Sequence, residues 1–490
     1  MKKLIKLTTK DFLTGVASTE HLENAGLFNS TTAGCSPIYF DRASMGLLAP
    51  GPAANNTGGA AVVDTIIAGA INSSGGTTKL FSLGASGHFY SHDVSSADAT
   101  PTDLRSGTPI TTPANGMEVY QASATASEAK YLYYWQKTQI GRWDLAGAYA
   151  TGWTDNWATG LQDFFIHPTH KFFDRVYYGN KDRIGMIYDN AGTATNNLNV
   201  LDFSSDCYVS SISDDGTYLI VALTRQSVSG TPTSTVGSKI VFWDLNSSSW
   251  IKEWDIPDST GISSIVTVNG ITYILETNRL SYCTFSTPPT HVKYIAGNLR
   301  PSFDGNSSGS CDHQRMTKYF DGVMWLTVGA TLAYYGKFTP ELQRTLQVPF
   351  AGLTSATCIL PLASTSRIYV GGSSKYYSVP TFTGTATGVS AKTFYIPLNT
   401  RSKIGRIDIV FGKQLASGDS VLVDVRSDEN DPEYITGYTW GTASYALHGT
   451  ATRVKLPGVK ECECLKLIIT FNGGTPLIKA IEVWGDELTI

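Results

Sequence analysis

The chain has 490 residues, a formal net charge of −4 and 16% charged residues, and glycine occupies 47 positions. This length predicts two or three domains. The weak acidic charge argues against a protein that grips nucleic acid through a basic surface, so we expect no sequence-specific nucleic-acid partner.

The first 60 residues carry isolated apolar residues among turn formers, as in TTAGCSPIYFDRASMGLLAPGPAANNTGG. Such a segment has little to bury alone, so we predict an extended N-terminal arm over residues 1–60. Either Pro37–Phe40 or Met45–Leu48 is predicted to supply a strand that completes the last sheet of the next domain. The start, MKKLIKLTTKDF, lacks the apolar run of a secretory signal, and no later stretch is long enough for a membrane helix. We therefore expect synthesis in the cytoplasm without a signal peptide, and no membrane partner.

The clearest strand pattern runs from Val209 to Ile256 and contains four apolar runs of strand length. The clusters Asp214-Asp215-Gly216 and Asn246-Ser247-Ser248 between them are typical of tight turns. The second run, YLIVAL at Tyr218–Leu223, is apolar throughout, which predicts burial on both faces. A single four-stranded sheet cannot bury both faces alone, so the pattern indicates a repeat.

Six further pairs of predicted strands with this pattern occur along the chain. They are YLYYWQKTQIGRWDL, RVYYGNKDRIGMIY, TYILETNRLSYCTF, MWLTVGATLAYYG, IYVGGSSKYYSV and a more divergent copy over Val63–Ile71 and Lys79–Tyr90. Seven units spaced by roughly 40 to 65 residues predict an all-β fold with a β-propeller of about seven blades over residues 61–392. A sandwich or a β-helix is the alternative. The pair ISDDGTYLIVA and KIVFWDLNSSSWIKEW resembles a blade of the WD-repeat and lactonase-like propeller families.

Residues 393–490 have a different pattern, in which apolar and polar residues alternate along strands that are separated by Gly or Pro turns. This pattern is typical of a β-sandwich, and we predict one of jelly-roll type over residues 393–490. Tyr438, Trp440 and Tyr445 lie near a Gly-rich turn of this domain. They are the candidate glycan-contact residues, because aromatic rings stack on sugars, although such residues also form cores and interfaces.

Residues with metal-ligand spacing are few. The pairs His88/His92 and His167/His170 and the dipeptide Asp312-His313 lack the second ligand pair of a zinc site. His88 and His92 would share one side of a strand, but we interpret them as solvent-facing loop residues. The acidic loop at Asp428–Asp431 is interpreted as a solvated turn, because it lacks the ligand spacing of an EF-hand.

Catalytic motifs are also missing from the sequence. Ser213–Gly216 approaches the aspartate box of sialidase-like propellers without its spacing, and no nucleophile elbow, phosphate loop or dinucleotide fingerprint is found. Seven scattered cysteines predict no disulfide framework and are interpreted as buried thiols, at positions Cys35, Cys207, Cys283, Cys311, Cys358, Cys462 and Cys464. We therefore predict no enzymatic activity, no cofactor and no metal.

The N-terminal run AGCSPIYFDRASMGLLAPG, together with a propeller followed by a sandwich, resembles structural propeller proteins of tailed-bacteriophage particles. The resemblance is architectural and extends over residues 30–490. It implies a virion protein of the tail, neck or nozzle, made in the host cytoplasm, that forms a homo-oligomer with other virion proteins and carries no cofactor. We therefore expect a non-enzymatic structural component that assembles through β surfaces and the N-terminal arm. The alternative is a host-surface or glycan-binding protein, and a propeller glycosidase or lyase comes third.

Overall fold

The computed structural model describes most of the chain between residues 64 and 292 and shorter stretches on either side. The described residues are 2–8, 16–17, 28–29, 38–41, 47–50, 55–57, 64–74, 77–94, 101–105, 107–122, 129–145, 152–225, 237–259, 261–276, 279–292, 313–320, 322–328, 331–336, 345–347, 356–362, 367–372, 376–380, 389–392, 396–416, 418–426, 439–440, 453–474 and 476–488.

Six strands lie in the N-terminal part of these residues. They are β1 (Lys2–Thr8), β2 (Val16–Ala17), β3 (Phe28–Asn29), β4 (Ile38–Asp41), β5 (Leu47–Pro50) and β6 (Asn55–Thr57). Strands β2 and β3 pair with each other in parallel.

The next 27 strands, together with β6, form antiparallel sheets of four strands each. The described part of the chain contains seven of these sheets. The first three sheets contain β7 (Ile66–Ser74), β8 (Thr77–Gly84), β9 (Phe89–Asp93) and β10 (Thr102–Asp103); β11 (Pro113–Tyr120), β12 (Tyr131–Gln136), β13 (Gln139–Asp144) and β14 (Trp153–Thr159); and β15 (Thr169–Phe172), β16 (Arg175–Asn180), β17 (Arg183–Asn190) and β18 (Thr193–Asp202). The fourth and fifth contain β19 (Cys207–Asp214), β20 (Leu219–Arg225), β21 (Ser238–Trp243) and β22 (Lys252–Ile256); and β23 (Ile262–Val268), β24 (Ile271–Glu276), β25 (Leu280–Cys283) and β26 (Thr290–His291). The last two contain β27 (Thr317–Phe320), β28 (Val323–Val328), β29 (Thr331–Gly336) and β30 (Thr345–Gln347); and β31 (Cys358–Leu362), β32 (Arg367–Gly371) and β33 (Tyr376–Pro380) with β6.

The remaining strands near the C-terminus belong to one nine-stranded sheet. They are β34 (Val389–Lys392), β35 (Ile396–Phe411), β36 (Ser420–Arg426), β37 (Thr439–Trp440), β38 (Arg453–Gly473) and β39 (Ile478–Glu487). The strand order is β37-β36-β38-β35-β39-β5-β4, with β1 paired to β39 and β34 paired to β38. The strands of this region are predicted to be separated by Gly or Pro turns, but Pro457 does not end a strand, because it lies opposite Arg406 at a register shift inside the long β35–β38 ladder. Bulges are among the few places where a sheet accepts proline. The jelly-roll sandwich stays a prediction.

The chain forms two compact units, and the predicted boundaries at residues 60 and 392 stay predictions. One unit comprises Met1–Ala54, Leu332–Gly352 and Val379–Ile490, and the other comprises Asn55–Thr331 and Leu353–Ser378. In the second unit the first strand of each sheet contacts the first strand of the next, from β7 through β11, β15, β19, β23 and β27 to β31, and β31 contacts β7. The sheets therefore close into a ring of β-propeller type, as the sequence pattern predicts.

The last sheet of the ring takes its fourth strand from the N-terminal part of the chain. Asn55–Thr57 pairs antiparallel with Tyr376–Ser378. The prediction that Pro37–Phe40 or Met45–Leu48 completes this sheet is therefore wrong. Those two segments contribute β4 and β5, which pair with each other, and Leu48 lies opposite Ile478 of the nine-stranded sheet. The closing strand is instead the one that stands closest in sequence to β7, where the ring begins.

The hydrophobic core of the ring lies between neighbouring sheets. On β20, Leu219, Val221 and Leu223 pack with residues of the third sheet, whereas Ile220 and Ala222 pack with residues of the fifth. All five side chains are buried. The predicted burial of this strand on both faces is confirmed.

A short sequence repeat explains the packing inside the second and third sheets. Tyr134 lies opposite Gly141 and Tyr178 lies opposite Gly185, within the repeated spacing Tyr-Tyr-x-x-Lys-x-x-Ile-Gly. Each tyrosine ring covers its glycine so closely that a Cβ atom there would overlap with the ring. The hydroxyl groups then donate to the outermost strand of the same sheet, Tyr134 to Asp155 and Tyr178 to Asn196. Burial raises the pKa of both tyrosines well above the usual range, so they act as neutral donors.

Replacement of Gly141 by alanine is expected to lower the free energy of unfolding by roughly 1–3 kcal/mol, because the added methyl group forces the Tyr134 ring out of its place. Gly107→Ala is the matched control, since a Cβ atom at Gly107 meets no atom within 4 Å. Thermal unfolding of both variants and the parent chain measures the effect. Equal melting temperatures for the two variants would contradict the proposed tyrosine–glycine packing.

Candidate functional site at the centre of the ring

The first strand of each sheet has one edge that is not paired within its own sheet. Its N–H and C=O groups need partners, because buried backbone groups without hydrogen bonds are costly. The hydroxyl groups of small side chains supply some of these hydrogen-bonding partners. The Ile265 N–H donates to Ser211 Oγ at 3.1 Å, and the Thr267 N–H donates to Ser213 Oγ at 3.0 Å. Neighbouring first strands are thereby joined by side-chain-to-backbone hydrogen bonds.

A single turn of 3-10 helix, His313–Arg315, supplies further partners. The Ile212 N–H donates to Gln314 Oε1 at 2.8 Å, and Gln314 Nε2 donates to the Ile212 carbonyl at 2.5 Å. The side-chain amide of Gln314 thus pairs with both backbone groups of one residue, as a neighbouring strand would. Both residues are buried.

The next residue of the turn reaches a different sheet. Arg315 donates to the Met117 carbonyl at 2.7 Å and forms an ion pair with Glu118 at 3.2 Å. Gln314 binds β19 in the fourth sheet, whereas Arg315 binds β11 in the second, and the turn also contacts β23 and β31. We call this element, residues His313–Arg315, the cross-brace. Its contacts join the first strands of four of the seven sheets across the ring.

One end of the ring is formed by the hairpin turns that follow the first strands. Near it, His170 of β15 and Asp214 of β19 form an ion pair with 2.7 Å between Nε2 and Oδ2. The hydrogen bond from His170 lowers the pKa of Asp214 below its ordinary value. Asp214 also accepts the Gly216 N–H, so it fixes its own turn and joins two sheets.

Large apolar side chains are exposed at this end. Phe173, Ile251 and Tyr319 have 64%, 48% and 46% of their surface exposed, more than any other large hydrophobic residue in the described part of the chain. Phe173 has φ of +49°, a conformation that a bulky residue adopts only under strain. The Tyr120 hydroxyl donates to the carbonyl of the next residue, Asp174, at 2.9 Å and holds this turn.

The opposite end of the ring carries compensated charges. Arg279 makes a two-pronged ion pair with Asp258, at 2.7 and 2.9 Å, and also contacts buried Glu276 at 2.9 Å. The hydrogen bonds from Arg279 lower the pKa of Asp258 to about 2. The guanidinium therefore offsets two carboxylates at once.

Two of the histidines that the sequence singled out are buried, and two others are half-buried. His92 and His167 are fully buried, so the interpretation as a solvent-facing residue is wrong for His92. His88 bonds Asp103 at 2.9 Å instead of meeting His92 at a metal site. The ring of His167 faces the Gly179 carbonyl at 2.8 Å and the Lys137 carbonyl at 3.3 Å, and its burial lowers its pKa. A neutral imidazole has one N–H, so it can donate to only one of these two carbonyl groups at a time.

Of the glycan candidates of the C-terminal part, Trp440 lies among the described residues. The backbone of Trp440 pairs with Val421, whereas Tyr438, Tyr445 and the acidic loop at Asp428–Asp431 lie outside the described residues. Asp215 accepts the Thr217 and Tyr218 N–H groups, so Ser213–Gly216 is a structural turn.

The described cysteines are free thiols. Three cysteines are buried thiols as predicted, namely Cys207, Cys283 and Cys358, and Cys464 is half-buried. Within the residues that the structure describes, no group of three or more His, Cys, Asp or Glu side chains is arranged to hold a metal ion. No helix among those residues is long and apolar enough to cross a membrane.

Sequence reasoning missed the cross-brace. The tripeptide His-Gln-Arg has no local pattern that indicates burial at a ring centre, because its partners stand about 100 and 200 positions earlier. The paired hydroxyls of the first strands were a usable signal. Serines at Ser211, Ser213 and Ser264 recur in otherwise apolar strands, where only a hydrogen-bonding role explains them.

No protein-family model matches the chain, and no curated protein matches it. Solved structures with a similar fold include the Dos1 propeller, with 11% identity, a TM-score of 0.42 and coverage of 68% of this chain and 94% of that one. The WD40 domain of Pan2 from Neurospora crassa has 9% identity and a TM-score of 0.39, with 77% and 94% covered. The exo-β-1,3-galactanase from Phanerochaete chrysosporium has 8% identity and a TM-score of 0.29, with 65% and 95% covered. Similarity at this level says nothing about function.

The cross-brace predicts a local effect of changing Gln314. In Gln314→Leu the Ile212 N–H and C=O groups lose their partners, and we expect the free energy of unfolding to fall by roughly 2–4 kcal/mol. The Ile212 amide should also exchange with solvent faster, because its hydrogen bond goes to Gln314 and not to β20. Residue-level hydrogen–deuterium exchange measures this, with Gln139→Leu as the control at a half-buried position on β13. Unchanged exchange at Ile212 would contradict the role of the cross-brace.

The Arg279–Asp258 pair predicts a pH dependence. The folded-state pKa of about 2 lies below the ordinary value of 3.8, so ionised Asp258 stabilises the fold above that value. This stabilisation is lost as the pH falls from 3.8 towards 2. The difference in melting temperature between the parent chain and Asp258→Asn should therefore shrink over this range. Asp174→Asn, at an exposed turn carboxylate, is the control, and an equal pH dependence in both variants would argue against the pair.

Proposed function

We propose that the chain is a non-enzymatic structural component of a bacteriophage particle, of the tail, neck or nozzle. It assembles as a homo-oligomer and with other virion proteins through its β surfaces and its N-terminal segment. We propose further that the ring is a seven-bladed propeller, in which each four-stranded sheet is one blade. The phage setting follows from the resemblance of the N-terminal run and the domain order.

The observation that carries the assembly role is the one-sided exposure of large apolar side chains. Phe173 and Tyr319 belong to the hairpins that follow first strands, and Ile251 follows the loop between β21 and β22, which opens at the same end. The first strands run parallel, as the bridge between Asn115 and Ile166 indicates, so these turns share one end of the ring. Exposed apolar residues at one end of a fold are candidate contacts for a partner, and these three belong to the third, fourth and sixth sheets.

The cross-brace supports a non-enzymatic role. Ligand and catalytic sites favour concave pockets with convergent polar groups. At the level of the cross-brace, the convergent polar groups are Gln314, Arg315 and Glu118, and each is used in a contact within the chain. The cross-brace also argues against passage of DNA through the ring's own centre. In this proposal the chain lines or decorates a conduit from outside.

The assembly role predicts that the purified chain forms a particle of defined mass. Light scattering and negative-stain microscopy should show a closed ring or a polymer of fixed symmetry. The variant Phe173→Ser/Ile251→Ser/Tyr319→Ser should shift the mass towards the monomer, because it removes the exposed apolar contacts. The control Ala85→Ser/Thr111→Ser/Thr138→Ser changes three exposed positions at the opposite end. A compact parent monomer at all concentrations would contradict the proposal.

The alternative function is recognition of a host surface or glycan through propeller loops or the C-terminal domain. Its candidate contacts remain Tyr438, Trp440 and Tyr445. The observation that favours it is a polar cleft at the charged end of the ring. This cleft is small and contains one cation, so it suits a smaller range of ligands than a general glycan-binding site does.

A further inference from the structure

A cleft of about 220 Å³ opens where three consecutive first strands begin. It is lined by Ile67, Thr111, Thr112, Pro113, Lys137 and Phe165, with Ala85 at its edge. Ile67 belongs to β7, Pro113 begins β11, and Phe165 stands shortly before β15. The cleft therefore lies at the end of the ring opposite the exposed apolar turns. Its volume is below the roughly 300–1,000 Å³ of pockets that hold drug-sized ligands, so its occupant is about the size of one sugar ring.

The position of Lys137 is fixed by the surrounding backbone. It stands in the turn between β12 and β13, and its N–H donates to the Thr112 carbonyl at 3.1 Å. Its carbonyl faces the buried ring of His167 at 3.3 Å. The ammonium group lies 3.8 Å from the centre of the Phe165 ring, which holds it at the cleft.

Like Lys252 over Trp254, Lys137 lies over an aromatic ring and forms no ion pair with a carboxylate of the described residues, in contrast to Arg279 and Arg315. Arg279 has Asp258 and Glu276, and Arg315 has Glu118. A cation held by an aromatic face, inside a concave site, is available to an anion from outside. The hydroxyl groups of Thr111 and Thr112 line the same space and can donate to or accept from a ligand.

These features define the chemistry of the occupant. One ammonium group balances one negative charge, whereas a phosphate group, with nearly two charges, is usually held by several donors or by arginine. Half-buried Pro113 adds a small apolar surface beside the buried Ile67, and the two threonines suit the hydroxyl groups of a ligand. We propose that this cleft binds the carboxylate of a compact, hydroxylated molecule, such as one hexuronic acid unit. The proposal rests on the alternative function above and deepens it.

The chain itself supplies a matched control. Lys181 occupies the position of Lys137 in the repeated Tyr-Tyr-x-x-Lys-x-x-Ile-Gly spacing of the next sheet. It does not line the cleft. Lys137→Gln and Lys181→Gln therefore remove the same charge from equivalent turns, and only the first changes the cleft.

The test is a calorimetric titration of the full chain with D-glucuronate, D-glucose and inorganic phosphate. We expect D-glucuronate to bind with a dissociation constant of about 1 mM, and D-glucose at least roughly tenfold more weakly, because it lacks the charge. Lys137→Gln should weaken D-glucuronate binding by about tenfold or more. Lys181→Gln should leave it unchanged. Thr112→Val should weaken it less, since one hydroxyl group is lost.

Three results would overturn the proposal. The first is the absence of saturable D-glucuronate binding, and the second is equal D-glucuronate binding by Lys137→Gln and the parent chain. The third is phosphate binding as tight as that of D-glucuronate, which would mean that the hydroxylated ring contributes nothing. A glycan array separates this failure from failure of the alternative function. Hits that survive Lys137→Gln would leave glycan recognition standing at another site, whereas an empty array together with no titration signal would remove both.

Discussion

The ring depends on the burial of both faces of every sheet. On β20 the side chains alternate between two clusters, so that Val221 packs towards the third sheet and Ile220 towards the fifth. A sheet with two apolar faces is stable only between two others, and that condition is met for all sheets only if the series closes. The contact between β31 and β7 closes it, and Asn55–Thr57 completes the last sheet. The ring is therefore stabilised as a whole and not sheet by sheet, and its stability depends on contacts between distant parts of the sequence.

Closure creates a second constraint at the axis, where seven unpaired strand edges converge. Hydrophobic packing cannot satisfy them, because each exposed N–H and C=O group needs a hydrogen-bonding partner. Serine side chains bridge some neighbouring strands, and Gln314 pairs with Ile212 as a strand would. Arg315 brings a positive charge into this buried region, and Glu118 offsets it. The polar groups at the axis thus have structural roles.

The sequence predicted the features of the ring that are local. Two such features are the burial of both faces of the strand in Tyr218–Leu223 and the turn at Asp214-Asp215-Gly216. Both follow from residue type and spacing, and both are found. The closing strand was missed because Asn55–Thr57 is polar and joins the sheet through its backbone, which leaves no apolar pattern. His92 was misjudged for a related reason. Its polarity indicated a solvent-facing residue, yet it is buried.

The two ends of the ring differ in a way that bears on function. At the turn end, Phe173 combines exposure with a strained backbone, and the Tyr120 hydroxyl maintains that conformation. This exposed aromatic ring is therefore one of the contacts on which the proposed assembly role rests. At the other end, cations such as Arg279 are matched by carboxylates of the chain, and Lys137 is instead held by an aromatic ring. Since an apolar contact and a cation over an aromatic ring select different partners, the proposed assembly surface and the proposed anion site place no common demand on the chain.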